Sequence, residues 1–211
     1  MEATVFFSKK LSRDPDQRAR ELSRVCPGKL CLAEQVHGDT VLYADEQYTP
    51  RAGDALYTDV PGVFIGVKTA DCVPILLTSR AAVAAVHAGW RGTASQIAEK
   101  AARLLCEQYG LAPQDITAHI GPCICQNCYE TDEEVAAALG LEAAAYIERR
   151  GEKFHPDLRG VNAHWLRALG VRDIRVSPDC TRCRPDVYWS HRAHGAERGF
   201  QVSAARLIPD S

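Results

Sequence analysis

Residues 63–87 read VFIGVKTADCVPILLTSRAAVAAVH and contain three short apolar runs, at 63–69, 73–78 and 82–87. The runs contain several β-branched residues and are separated by polar or turn-forming residues, which is typical of β-strands. Nearly every position within them is apolar, so neither face of these strands is suited to water. The stretch therefore predicts three central strands that other parts of the chain cover on both sides.

The sequence around this stretch has short strands first and helices later. Strands are predicted at 4–8, 30–36, 40–44, 55–58, 116–120, 173–176 and 200–207. Helices are predicted at 14–25, 93–110, 131–138, 142–149 and 161–169. The spacing of Thr93 and Gln96, and of Thr131 and Glu134, is that of a capping box at a helix start. This order of elements favours a mixed α+β architecture.

The composition fits one globular domain, which we take to be residues 1–211. Hydrophobic residues make up 46% of the chain and charged residues 25%, which is enough for a full-sized core. The 25 basic and 27 acidic side chains give a formal net charge of -2, so no positive field points to nucleic acid or to a membrane surface. The expected partner is a small molecule, and the oligomeric state stays open.

Neither the amino terminus nor the cysteines indicate export. The apolar patch at 5–7 is too short for the core of a secretory signal, and charged residues interrupt the longest hydrophobic stretch. The chain has nine cysteines, an odd number, which argues against a disulfide framework. A cytoplasmic protein without a membrane span is the expectation.

Residues that can bind a metal lie at the ends of predicted strands. His37 and His87 each precede a glycine at or near the next position, and Cys72 lies between two apolar strands. Two imidazoles and one thiolate form a three-ligand set, and catalytic zinc uses such a set with its fourth position open. The separations fit no zinc finger, so only the fold can bring the three side chains together.

Recognisable sequence motifs surround these residues and extend over most of the chain. The motifs are QVHG at 35–38, GDALYTD at 53–59, ADCVP at 70–74, HAGWRGT at 87–93, IGPCI at 120–124, CYE at 128–130, CT at 180–181 and SHR at 190–192. In these motifs and their order the chain resembles the bacterial YfiH-like family, called multicopper polyphenol oxidase or laccase-domain proteins in older descriptions. The resemblance implies a layered α/β/β/α single domain with metal ligands at His37, Cys72 and His87.

The resemblance also implies a zinc-dependent purine nucleoside enzyme. Its expected reactions are phosphorolysis of adenosine, inosine and methylthioadenosine, and deamination of adenosine. Zinc held by Cys72 and His87 can activate water for attack at the purine C6 carbon, so both count as catalytic candidates. Asp71, next to the thiolate, is the candidate acid/base residue.

Phosphorolysis needs cationic groups that hold phosphate near the sugar. Arg91 and Arg192 are the candidate phosphate ligands, and Lys68 is a third. Trp90 can stack on a purine base, although packing in the core is the more ordinary role of a tryptophan.

Two alternative functions keep the same residues. The two histidines and the cysteine can form a blue-copper site, so a laccase-like copper oxidase is one alternative. The His-x-His pairs of a trinuclear copper cluster, however, are missing from the seven histidines. The other alternative uses Cys72 as a nucleophile and His87 as its base, in a hydrolase acting on nucleotide-linked sugar precursors of the cell wall.

A third alternative is a non-catalytic zinc-binding module built on other cysteines. The chain contains Cys123-x-Cys125-x-x-Cys128 and Cys180-x-x-Cys183, spacings that often hold structural zinc. Since Cys123, Cys128 and Cys180 fall where the family often has cysteine, ordinary packing is the expectation for them. The sequence leaves a second metal there undecided.

Overall fold

The computed structural model describes residues 1–208. The strands are β1 (Ala3–Phe7), β2 (Leu30–Leu32), β3 (Val41–Tyr43), β4 (Ala55–Thr58), β5 (Phe64–Thr69), β6 (Val73–Thr78), β7 (Val83–Ala88), β8 (Thr117–Ile120), β9 (Ile147–Arg150), β10 (Lys153–Pro156), β11 (Asp173–Val176) and β12 (Gln201–Leu207). The helices are α1 (Pro15–Val25), α2 (Trp90–Ala94), α3 (Ile97–Tyr109), α4 (Glu133–Leu139), α5 (Leu158–Leu169) and α6 (His191–His194).

Two larger sheets organise the chain. One has six strands in the order β11-β8-β6-β7-β4-β3, and the other has four in the order β1-β12-β5-β2. The consecutive strands β5 and β6 belong to different sheets, so the chain passes from one sheet to the other at residues 70–72. Strands β6 and β7 pair antiparallel with Pro74 opposite His87. This pairing brings the start of β6 beside the end of β7.

The central strands are buried on both faces, as the apolar runs predict. In β6, Ile75 and Leu77 pack with α3 and α5 on the outer face of the six-stranded sheet, while Leu76 points to the four-stranded sheet. Helix α1 packs its Leu22 against the other face of the four-stranded sheet. The layers therefore run α/β/β/α, which confirms the expected mixed α+β class.

Several predicted elements are confirmed, and others are corrected. Helix α1 begins after Asp14, whose side chain accepts a hydrogen bond from the Gln17 N–H at 2.8 Å. The predicted capping box at Thr93 is wrong, because Thr93 lies inside α2 and its buried hydroxyl accepts a hydrogen bond from Asn162. Helix α3 instead begins after Gln96, which has a left-handed φ of 59°.

The predicted helix at 142–149 is also wrong. A short 3-10 turn covers Leu141–Tyr146, and the chain then forms β9, which pairs antiparallel with β10. Gly151 has φ 63°, a value that suits the tight turn between these two strands. Thr131 pairs with Phe154 of β10 instead of capping α4, which begins after Asp132. Cross-strand pairing therefore outweighs the local helix pattern in this segment.

No helix within residues 1–208 is both long enough and apolar enough to cross a membrane.

Candidate metal centre

Three of the predicted site residues converge where the chain passes from the four-stranded sheet to the six-stranded sheet. The donor atoms of His37, Cys72 and His87 all lie within 4.8 Å of one another. His37 follows β2 on a turn, Cys72 lies between β5 and β6, and His87 is the penultimate residue of β7. The two imidazole rings meet edge to face, with centroids 4.9 Å apart. The fold thus supplies the proximity that sequence distance could not.

The buried carboxylate of Asp54 holds two of these residues in place. Its Oδ1 accepts the Nδ1–H of His87 at 2.8 Å and the backbone N–H of His37 at 3.0 Å. Its Oδ2 accepts the backbone N–H groups of Val36 at 3.2 Å and Gly38 at 2.7 Å. Because the His87 ring binds Asp54 through Nδ1, its Nε2 faces Cys72 and is the nitrogen that can bind a metal once it has lost its proton.

The electrostatics of the cluster favour an ionised thiolate. Burial by itself would raise the pKa of Cys72, but hydrogen bonds and charges from His37 and His87 lower it to about 7. Burial would lower the pKa of His87, but Asp54 and Cys72 raise it to about 9. The pKa of Asp54 is held below its ordinary value, since the His87 and Gly38 hydrogen bonds outweigh its burial. Cys72 therefore ionises readily near neutral pH beside a positively charged His87, and metal binding would release the His87 proton.

The backbone at the cluster adopts rare conformations. His37 has φ 60° and Asp71 has φ 95°, both in the left-handed region that residues other than glycine seldom occupy. Such conformations cost free energy and persist only where surrounding contacts enforce them, often at functional sites. Here the hydrogen bonds to Asp54 enforce the turn at His37.

Gly89 lies against the cluster. A Cβ atom at Gly89 would come within 3.3 Å of His37 Cδ2 and 3.4 Å of Cys72 Sγ. Its φ of -71° suits any residue, so the lack of a side chain serves close approach and not backbone freedom. The glycine of HAGWRGT therefore has a steric role beside the ligands.

A cavity opens in front of the cluster. Its volume is about 340 Å³, within the range of small-molecule sites. The lining residues are His37, Ala70, Asp71, Cys72, Gly89, Trp90, Arg91, Ile124, Tyr129, Leu158, His191, Arg192 and Arg198. A second cavity of about 400 Å³ also touches His37 and Cys72 and includes Lys68, Phe200 and Arg198. The three donors thus lie at the boundary of two cavities.

The cationic candidates divide between these cavities. Arg91 and Arg192 line the first cavity, and Lys68 lines the second. The Arg91 guanidinium stacks over the Trp90 ring, 4.1 Å from its centroid. Arg192 lies 5.4 Å from the centroid of Tyr129 and donates to the Glu130 carbonyl at 2.7 Å. Aromatic surfaces with cations beside them therefore form one wall of the first cavity.

Asp71 lines the first cavity, and both of its carboxylate oxygens accept hydrogen bonds. Oδ1 accepts the Thr181 hydroxyl at 2.6 Å, and Oδ2 accepts the backbone N–H of Arg192 at 2.8 Å. The backbone carbonyl of Asp71 accepts the Ile124 N–H at 3.0 Å. Asp71 therefore connects three segments of the cavity wall, and its acid/base role stays a prediction.

The other cysteine motifs also come together. The sulfurs of Cys125, Cys128, Cys180 and Cys183 lie within 4.8 Å of one another, whereas Cys123 is buried in the main core. Packing in the core therefore describes Cys123, whereas Cys180 is buried beside three cysteines that are partly or fully exposed.

Sequence reasoning overlooked three residues of the site. Asp54 lies in the GDALYTD motif, but one carboxylate ahead of a strand gives no signal of its partners. Arg198 lines both cavities, but the sequence around it has no pattern that would indicate a functional residue. Tyr129 lies in the CYE motif directly after a short 3-10 turn at Gln126–Cys128, and the sequence gives no signal that this turn faces a cavity.

Comparison with known proteins places the sequence in a family. The sequence model of the family described as "Multi-copper polyphenol oxidoreductase laccase" matches residues 13–208. The chain belongs to this family.

Solved structures of the family superpose on nearly the whole chain. A hypothetical protein YfiH from Bacillus licheniformis has a TM-score of 0.89 at 26% identity and covers 97% of this chain and 92% of its own. YlmD from Geobacillus stearothermophilus has a TM-score of 0.89 at 27% identity, with 98% and 92% covered.

Curated relatives in this family carry enzyme names. A protein named adenosine deaminase RL5, from an unknown prokaryotic organism, is 41% identical over 165 residues, which are 74% of this chain and 63% of the relative. A purine nucleoside phosphorylase from Deinococcus radiodurans is 39% identical, with 78% and 65% covered. Purine nucleoside phosphorylase YfiH from Escherichia coli is 34% identical, with 79% and 69% covered. The matches thus span about two thirds of these relatives, whose names suggest an enzyme.

Proposed function

We propose that the chain is a zinc-dependent purine nucleoside enzyme, which cleaves adenosine, inosine and methylthioadenosine by phosphorolysis and deaminates adenosine. The observation that carries the proposal is the convergence of His37, Cys72 and His87 beside a cavity of suitable size. The names of the relatives supply the substrate class. The expected partners are therefore purine nucleosides and phosphate.

The donor set fits zinc. Zinc accepts a thiolate together with imidazole nitrogens, and catalytic sites keep three protein ligands and one open position. A zinc-ligating histidine usually donates its other N–H to a carboxylate, and His87 donates to Asp54 in this way. When bound, zinc would supply a Lewis acid at the boundary of the two cavities.

The cavity wall supplies groups for recognising a nucleoside. Trp90 and Tyr129 offer aromatic faces on which a purine can stack. Arg91, Arg192 and Arg198 line the same cavity and can hold phosphate by charge and by paired N–H groups. Orientation of both reactants in one cavity is what phosphorolysis requires.

Deamination needs a group that passes a proton to the leaving amine. Asp71 is the nearest carboxylate in sequence to the ligand Cys72, and it lines the cavity. Its two hydrogen bonds hold its oxygens in fixed positions, which suits either an acid/base role or a positioning role. Replacement by asparagine distinguishes the roles, because only an acid/base role predicts a changed pH profile of deamination.

The test combines metal analysis with product identification. Purified protein is incubated with adenosine, with and without phosphate, and products are separated by chromatography. We expect adenine only with phosphate, and inosine in both conditions. His37→Ala, Cys72→Ala and His87→Ala should each lose both activities and bind less zinc, with an unchanged circular dichroism spectrum.

His119→Ala is the matched control, since His119 lies on β8 at a different cavity. It should keep wild-type turnover and zinc. If the three site variants keep wild-type rates with adenosine, the proposal is wrong.

A cysteine hydrolase is a second candidate, favoured by one observation. Asp54 bonds to His87, which in turn bonds to Cys72, in the order of a nucleophile, a base and an orienting carboxylate. Such a triad, however, gives no role to His37 at the same sulfur. Activity on a nucleotide-linked sugar that survives zinc removal but is lost on thiol alkylation would favour the hydrolase.

Copper is the alternative metal. Two histidines and a cysteine also occur in blue-copper sites, and the description of the family names copper. In the part of the chain that the structure describes, the donor clusters are this one and the four cysteines, and neither adds the histidines of a trinuclear cluster. Oxidation of phenols by copper-loaded protein, faster than by free copper, would favour an oxidase.

A further inference from the structure

Four cysteines that the proposed enzyme does not use form a cluster of their own. The two Cys-x-x-Cys pairs, 125/128 and 180/183, are far apart in sequence, yet their sulfurs all lie within 4.8 Å of one another. Four thiolates around zinc at about 2.3 Å place neighbouring sulfurs about 3.8 Å apart. Cys128 Sγ and Cys183 Sγ are 3.4 Å apart, close to that spacing.

The backbone around these sulfurs has the form of two metal-binding turns. In the first turn, the Cys128 N–H donates to the Cys125 carbonyl at 3.0 Å. In the second, the Cys183 N–H donates to Cys180 Sγ at 3.4 Å, and the Cys125 N–H donates to the same sulfur at 3.3 Å. Backbone N–H groups aimed at a sulfur stabilise its thiolate form, which is the form that binds a metal.

Ordinary packing does not account for the cluster. A free cysteine that serves as a small apolar residue is usually buried, as Cys123 is in the core. Cys183 is exposed, and Cys125 and Cys128 are only partly buried. Cys180 is buried, but the other three thiols reach the surface, so packing of apolar area explains little of why four sulfurs from two loops meet.

We propose that Cys125, Cys128, Cys180 and Cys183 bind a structural zinc ion in a closed tetrahedral site. Four thiolates leave no open position, so this zinc would take no part in a reaction. Tetrahedral sulfur coordination selects zinc or iron among the common metals, and we assign zinc. The assignment does not depend on the proposed nucleoside activity.

The site would fix one wall of the first cavity. The Thr181 N–H donates to the Cys123 carbonyl at 3.1 Å, so the two cysteine loops already run side by side. One loop contributes Ile124 and Tyr129 to the cavity, and the other holds Asp71 through the Thr181 hydroxyl. Zinc across the loops would therefore restrain the wall that faces the substrate.

Arginines near the cluster suit its charge. Four thiolates and one zinc ion carry a net double negative charge. Arg182 lies between the cysteines of the second turn and donates to the Cys128 carbonyl at 3.4 Å. Arg184 follows Cys183 directly, and Arg150 donates to Asn127 inside the first turn at 2.6 Å. Arg184 also pairs with Asp179 and Arg150 with Glu148, so Arg182 is the arginine whose charge would chiefly offset that of the bound site.

Metal counting on the whole chain tests the proposal. Zinc per chain is measured by elemental analysis and by native mass spectrometry on wild type, on the double variant C128S/C183S and on His87→Ala. The double variant should lose one zinc equivalent relative to wild type, and His87→Ala should keep the equivalent that the double variant loses. Cys106→Ser is the matched control, because Cys106 lies on α3 outside both clusters, and it should lose none.

Alkylation of the wild-type protein covers the case in which the double variant does not fold. Exposed Cys183 should resist iodoacetamide in the metal-loaded protein and react after chelation, while Cys106 reacts equally in both. Equal reactivity of Cys183 in both states would overturn the site, as would iron in place of zinc, or a Cys128–Cys183 disulfide in cells lysed into alkylating agent. Failure of the nucleoside assay would leave these readouts unchanged, so the two proposals fail separately.

Discussion

Asp54→Asn tests how the candidate metal centre is held together. The substitution keeps the shape of the side chain but turns one carboxylate oxygen into an N–H₂ group. Each oxygen of Asp54 accepts two N–H groups. Whichever way the amide turns, two N–H donors therefore face an N–H₂ group and lose their acceptor.

The two orientations harm the site in different ways. With the amide nitrogen at the Oδ2 position, the N–H groups of Val36 and Gly38 lose their partner, and the turn carrying His37 loosens. With the nitrogen at the Oδ1 position, His87 can regain a hydrogen bond only by moving its proton to Nε2. That tautomer has no lone pair for a metal on the Cys72 side.

The magnitude follows from the count of lost acceptors. A buried donor left without its partner costs about 1–3 kcal/mol, and the N–H groups of Val36, His37 and Gly38 are only partly buried, so we expect a loss of about 1–3 kcal/mol in the free energy of unfolding. Loss of a carboxylate that orients a metal-binding histidine lowers metal affinity about 10–100-fold. We therefore expect a measurable loss of stability and a larger zinc dissociation constant in the same variant.

The assay measures both quantities. Zinc affinity is obtained by competition with a chromophoric chelator, and the free energy of unfolding of the metal-free protein by urea titration. Asp39→Asn is the matched control, because Asp39 has a partly exposed side chain that pairs with Lys100 at the surface. It should leave both quantities unchanged. An Asp54→Asn variant with wild-type zinc affinity and wild-type stability would refute the reasoning.

Three further substitutions test the close packing at Gly89, the phosphate-binding role of Arg198 and the core under α3. Gly89→Ala should weaken zinc binding about tenfold, because its Cβ would crowd His37 and Cys72 at 3.3 and 3.4 Å; competition titration measures this. Arg198→Ala should raise the KM for phosphate severalfold and leave deamination of adenosine unchanged, which steady-state kinetics with varied phosphate checks. Leu105→Ala, in the fully buried face of α3, should lower the free energy of unfolding by about 2–5 kcal/mol in urea titrations while zinc binding persists.

The fold could be predicted furthest where the apolar pattern is strongest. The bounds predicted for β4, β6 and β11 are those of the structure, and the fully apolar strands are covered on both faces as expected. Prediction failed where local signals compete with long-range pairing. Residues 142–149 have a helical pattern, yet β9 pairs with β10 because Gly151 permits the tight turn. Single-sequence patterns report local preference, and cross-strand partners lie outside their window.

The two clusters of metal-binding side chains differ in how they are encoded. Each Cys-x-x-Cys pair is a local turn, so half of the four-sulfur cluster can be read directly from spacing. His37, Cys72 and His87 have no such local unit. They follow or occupy strands of two different sheets, and only the passage of the chain between those sheets at 70–72 brings them together. Zinc binding by this triad therefore requires that both sheets are stacked, whereas either pair of cysteines alone can begin to bind zinc before the domain is complete. Zinc should accordingly leave His37, Cys72 and His87 at the urea concentration at which the core unfolds.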